Sequence, residues 1–215
     1  VSNHTARDHQ WVSRHPEYYV HGREGEDSQQ PEYYFKTTTT QGHSVLAFGR
    51  DPNYPGWSDT AQLNVLHPAT RKAMLSTLKA IAAMCDGARC DMAMLLLTDV
   101  FEKTWGERAL PAGLEPAVGE FWSEAIRTVK ENLPTFKFIA EAYWDREWQL
   151  QQLGFDYTYD KKLYERLSRE GANAVYDHLK AESDYQRKSV RFIENHDEQR
   201  AAHAFGSESW HFAAA

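Results

Sequence analysis

The sequence predicts an α/β fold built on a parallel sheet, either open or closed into a (β/α) barrel. Three observations carry that expectation. From Pro68 onward, amphipathic helical stretches alternate with short apolar runs, and strands separated by helices pair in parallel. The 215 residues, 41% hydrophobic and 26% charged, suffice for one or two domains with a substantial core. No apolar run is longer than residues 92–97, far short of the roughly 18 residues of a spanning helix, so no membrane partner is expected.

Taken in order, residues 5–65 are polar and irregular, rich in Gly and Pro, with a threonine run at 37–40 that is extended by propensity. Nine aromatic residues from Trp11 to Trp57 mark this stretch as an ordered excursion rather than a tail. Pro68 suits a helix start, and residues 69–84 read as a helix with Met74, Leu78, Ile81 and Ala82 on one face. Residues 87–92 form a short strand. A helix follows at 119–133, its face set by Trp122, Ile126, Val129 and Leu133 and its end by Pro134. Then come a strand at 136–140, a helix at 145–153, a strand at 155–159, helical segments over 161–181 broken at Gly171, and a last strand at 190–194. Trp144 and Trp148, at helical spacing, are expected in the core, and Asp197 to cap a helix at 198–204. Cys85 and Cys90, five apart, are poorly spaced for a disulfide and read as free, buried thiols, which leans towards a reducing, cytoplasmic compartment.

Acidic and imidazole groups gather where these strands end. Period-two alternation puts Arg89 and Asp91 on one face of their strand, where the guanidinium can aim the carboxylate. Glu141 ends the strand at 136–140, His196 and Asp197 follow the strand at 190–194, and Asn3 and His4 stand at the start of the chain. In a parallel barrel such strand ends meet in one mouth. Asp91 and Glu141 are 50 residues apart and Glu141 and Asp197 are 56 apart, distances that fit successive βα units. The net charge of −7 with no basic stripe argues against a nucleic-acid partner. His4, His9, His15 and His21 match no zinc-ligand spacing and read as solvated loop residues.

These same strings carry a family resemblance. Val1-Ser2-Asn3-His4 is similar to the tail of the first signature segment of the alpha-amylase family of glycoside hydrolases. Gly87-Ala88-Arg89-Cys90-Asp91 resembles the second segment, Ile139-Ala140-Glu141 the third and Ile193-Glu194-Asn195-His196-Asp197 the fourth. Residues 59–64 resemble the segment closing that family's inserted loop domain. The resemblance implies a partial (β/α)8 barrel over residues 1–215, about strands 3 to 7, with 5–65 as a loop domain inserted after strand 3. It implies a piece of a longer enzyme that cleaves α-glucosidic bonds of α-glucans or oligosaccharides with retention. Asp91 would be the nucleophile, Glu141 the acid and base, and Asp197 the third carboxylate. His4, Arg89 and His196 would bind or orient at the cleaved bond, and Asn3 matches a position that holds structural calcium in some members. The chemistry itself needs no cofactor. Transfer of the glycosyl unit to a second sugar, or a non-catalytic sugar-binding barrel, are the alternatives; compartment and oligomeric state stay open.

Overall fold

The computed structural model describes residues 2–110, 113–206 and 208–215, so Val1, the first residue of the resembling N-terminal string, lies outside the described residues. The N-terminal part comprises β1 (His4–Ala6), α1 (Gln10–Arg14), α2 (Glu26–Gln29), β2 (Tyr34–Thr39), β3 (Gly42–Ala47) and β4 (Thr60–Gln62). β2 and β3 form an antiparallel hairpin in which Thr37 faces Ser44, and Gly42 supplies the positive φ of 115° that its tight turn demands. β1 pairs antiparallel with β4, His4 opposite Gln62, and so ties the two ends of the excursion together.

The rest alternates helix and strand: α3 (Pro68–Ala82), β5 (Gly87–Cys90), α4 (Thr98–Trp105), α5 (Phe121–Lys130), β6 (Lys137–Ala140), α6 (Glu147–Gln152), β7 (Tyr157–Tyr159), α7 (Lys161–Arg169), α8 (Ala172–Leu179), α9 (Ser183–Arg187) and β8 (Ser189–Val190). Two short helices, α10 (Ala201–Ala204) and α11 (Glu208–Ala214), follow. β5, β6, β7 and β8 form one parallel sheet in sequence order, each crossover carrying helix, so the molecule is α/β as expected. Gly87 permits the close approach of β5 to β6, since a β-carbon there would sit 2.8 Å from the Lys137 carbonyl oxygen. The helix faces read from the 3.6-residue period are largely the buried ones, Met74, Leu78 and Ala82 in α3 and Trp122, Ile126 and Val129 in α5; Ile81 is half-buried, and Leu133 is exposed because α5 ends at Lys130. One apolar core runs without a break from Phe35, Leu46 and Phe48 of the hairpin region to Phe138 and Phe155 beside the sheet. A smaller cluster gathers Tyr164, Ala201 and Phe205 with Phe192 and Ile193. Among the described residues no helix is long and apolar enough to cross a membrane.

Four expectations are corrected. The last strand is Ser189–Val190, not 190–194, because β7 is only three residues long and the ladder ends where the Asp160 amide donates to the Val190 carbonyl oxygen at 2.9 Å. Phe192 turns instead to Tyr159 and Tyr164, with ring centroids 5.4 and 5.7 Å away. Asp197 does not cap a helix 198–204; the helix is Ala201–Ala204 with Arg200 at its cap, while the Asn195 side chain accepts from the amides of Asp197 and Glu198. Trp144 and Trp148 are 39% and 47% exposed rather than core, because α6 begins after Trp144 and turns Leu150 and Gln151 inward. Both cysteines are free, but only Cys90 is buried; Cys85 is exposed.

Candidate active site

Three neighbouring strands end level with one another. Cys90 pairs with Ala140, and Ala140 with Thr158, so the residues that follow, Asp91, Glu141 and Tyr159, occupy the same row. In a parallel ladder residues in one row project to one side of the sheet, and Arg89, two residues before Asp91, shares that side. The Arg89 guanidinium binds all three. Its Nη1 donates to Asp91 Oδ1 at 2.5 Å, its Nη2 meets Glu141 Oε1 at 2.8 Å, and its Nε donates to the Tyr159 hydroxyl at 3.1 Å. Burial alone would push this guanidinium down, but Asp91, Tyr159 and Glu141 together outweigh it and raise the group above its ordinary value.

Glu141 is 2% exposed and is surrounded by donors. The Tyr143 hydroxyl donates to Oε1 at 2.9 Å, and the Met92 amide donates to Oε2 at 2.7 Å. Met92 has a left-handed φ of 42°, uncommon outside glycine, directly after Asp91; the strained turn accompanies the aim of its amide at the carboxylate. Burial, then the charge of Glu141 and the hydrogen bond to it, raise the Tyr143 phenol far above its usual range and keep it a donor; Asp197 and Glu198 add to this.

His4 approaches from β1. Asn3 Oδ1 accepts from His4 Nδ1 at 2.8 Å, and the ring lies 5.3 Å from that of Trp57. Burial lowers the imidazole below its ordinary value, against the weaker upward pull of Asp91 and Asp59. Asn3 is buried, with its side-chain nitrogen donating to Gln62 Oε1 at 3.4 Å and its main-chain carbonyl oxygen accepting from Gln62 Nε2 at 2.9 Å. Calcium asks for six to eight oxygens. Among the described residues no cluster of three acidic, imidazole or thiol groups stands ready for a metal, and the Asn3 side chain is already engaged, so these residues do not fit that ion.

Arg89, Asp91 and Glu141 are therefore brought together, with His4 beside them. His196 and Asp197 are not. Their side chains are 67% and 51% exposed and pair with each other at 3.2 Å; among the described residues neither bonds to Asp91 or Glu141. β8 reaches the row only with Val190, opposite Tyr159, and ends there, so His196 and Asp197 lie six and seven residues beyond it. Tyr143, Tyr159 and the Met92 amide are site groups that the sequence reading missed. Tyr159 was open to discovery through its ladder position, Tyr143 through its place two residues beyond Glu141. A concavity of about 780 Å³ between α3 and α5 lies away from this cluster. Two smaller ones, about 460 and 320 Å³, flank the loop carrying Trp144 beyond β6.

The fold is similar to that of several glycosidases of known structure. An alpha-amylase from Lactobacillus plantarum superposes with a TM-score of 0.55 at 21% identity, covering 96% of this chain and 44% of its own. The cyclic alpha-maltosyl-(1→6)-maltose hydrolase from Arthrobacter globiformis does so with a TM-score of 0.61 at 17% identity, covering 99% and 44%. The debranching enzyme of Nostoc punctiforme gives 0.58 at 15% identity, covering 99% and 44%. At such identities the likeness is one of fold. The chain spans less than half the length of these structures. No family model and no curated protein matches it.

Proposed function

We propose that the chain is the site-bearing part of a retaining glycoside hydrolase acting on α-glucosidic bonds of α-glucans or oligosaccharides. On this reading the parallel sheet belongs to a (β/α)8 barrel, about strands 3 to 7, with residues 5–65 as its inserted loop domain. The observation that carries it is one guanidinium holding two carboxylates from adjacent strand ends. Retention requires two carboxyls about 5–5.5 Å apart, and a single Arg89 fork spanning Asp91 and Glu141 suits such a pair.

Asp91 attacks the anomeric carbon while Glu141 gives its proton to the departing glycosidic oxygen. In the second step Glu141 takes a proton from water, the water oxygen bonds to the anomeric carbon, and Asp91 leaves. Arg89 aims Asp91. Tyr143 and the Met92 amide fix the Glu141 carboxyl. A neutral His4 contacts the sugar beside the cleaved bond, and Asp197 and His196 meet its hydroxyls from the loop beyond β8.

The test is cleavage of maltooligosaccharides by the protein, with the first-formed anomer followed by proton NMR. Retained α-product, with Asp91→Asn and Glu141→Gln each slowing release by about 10²–10⁴-fold, is expected. Inverted product, or unchanged rates in both variants, would overturn the proposal. Products longer than the substrate, appearing ahead of glucose, would assign the site to glycosyl transfer.

A further inference from the structure

The concavity of about 460 Å³ beside the loop after β6 is lined by Arg50, Asn53, Asp99, Lys103, Trp144 and Arg146, among others. Its size falls within the range of small-molecule sites, roughly 300–1,000 Å³. Its charge runs against that of the whole chain. Where the sequence carries −7, this wall presents three cations against one carboxylate. Arg146 and Asp99 neutralise each other, Nη2 to Oδ2 at 2.9 Å. Arg50 and Lys103 are left. Arg50 lies 4.8 Å over the Tyr33 ring and 4.8 Å over the Trp105 ring, and its Nη2 donates to the Thr104 carbonyl oxygen at 3.1 Å. Its Nε is buried with no acceptor among the described residues. The Lys103 side chain has no ion pair or hydrogen bond among the described residues. The wall also carries Trp144, three residues beyond Glu141, which is held at a left-handed φ of 63° and is 39% exposed.

A fixed guanidinium and an uncompensated ammonium are the donors that recognise phosphate, and an open indole face is suited to a sugar ring. We infer that this concavity binds a phosphate dianion, carried on the sugar that occupies the side of the cleft beyond Glu141. Trp144 stacks on the ring while Arg50 and Lys103 meet the phosphate. The assignment of a leaving-group or acceptor sugar to this side rests on the proposed glycosidase reading; the binding itself does not require the carboxylates.

The experiment is isothermal titration of the Asp91→Asn protein with glucose 6-phosphate, glucose and inorganic phosphate. Glucose 6-phosphate is expected to bind about tenfold or more tightly than glucose. That gap should close in Lys103→Ala, persist in Lys103→Arg and narrow with added salt. Inorganic phosphate binding as tightly as glucose 6-phosphate, with the same dependence on Lys103, would retain the phosphate site and assign it to the free ion. Equal affinity for glucose and glucose 6-phosphate, a preference untouched by Lys103→Ala, or no binding of either phosphate would overturn the inference. Phosphate binding in a parent protein that cleaves no glycoside would overturn the glycosidase reading alone.

Discussion

Arg89 serves three partners at once, and only a planar fork with several donors can do so. An ammonium in its place would reach one carboxylate and leave Glu141, almost fully buried, short of a cation. Arg89→Lys is therefore expected to lower stability by about 1–3 kcal/mol, read from denaturant midpoints. An unchanged midpoint would show that the fork adds nothing beyond a single ion pair. His4 makes a second prediction. Its imidazole is lowered by burial, so the unfolded chain takes up that proton at a higher pH than the folded one. The stability contributed by neutral His4 is complete above about pH 6.5 and is lost as pH falls through the lower folded value. Melting temperature should fall from pH 7.5 to pH 5, with a shallower slope in His4→Gln. An identical slope in that variant would place the proton uptake elsewhere.

At the scale of elements, the loop after β5 is pinned from outside. The Trp122 indole nitrogen of α5 donates to the Ala93 carbonyl oxygen at 2.8 Å, and Ala93 follows Met92, whose amide holds Glu141. Trp122→Phe is expected to remove one of the hydrogen bonds to that buried carbonyl and cost about 1 kcal/mol. It should also speed hydrogen exchange at Met92 and Ala93; protection unchanged at both would show the loop to be held by other means. Elements with a full period were legible in the sequence. α3 and α5 could be read because a helix of more than two turns repeats its apolar face, and β5 and β6 because they are short apolar runs between helices. The strand at 190–194 was misread for the opposite reason. A two-residue strand has no period, and whether Phe192 joins a ladder or an aromatic cluster depends on how long β7 is. Trp144 and Trp148 failed similarly, since four-residue spacing means a shared face only if both lie inside one helix.

For the whole molecule, the hairpin and the sheet share one apolar core, so they should unfold together. Leu46→Ala on β3 and Phe138→Ala on β6, both fully buried, are each expected to remove about 2–5 kcal/mol from a single melting transition. Two separable transitions, each sensitive to only one of these changes, would show two independent units.

The sequence by itself determined the α/β class, the order of its strands and helices, and the pairing of Arg89 with Asp91. Those are local matters of hydrophobic period and same-face alternation. Tertiary structure alone decided that Tyr159 joins that pair and that the same guanidinium reaches Glu141, because only the parallel register sets three strand ends level. It also decided that Asp197 stays at the surface and that Arg50 and Lys103, 53 residues apart, face one concavity. Register and loop path depend on how segments distant in sequence pack, and no periodicity within one segment encodes them.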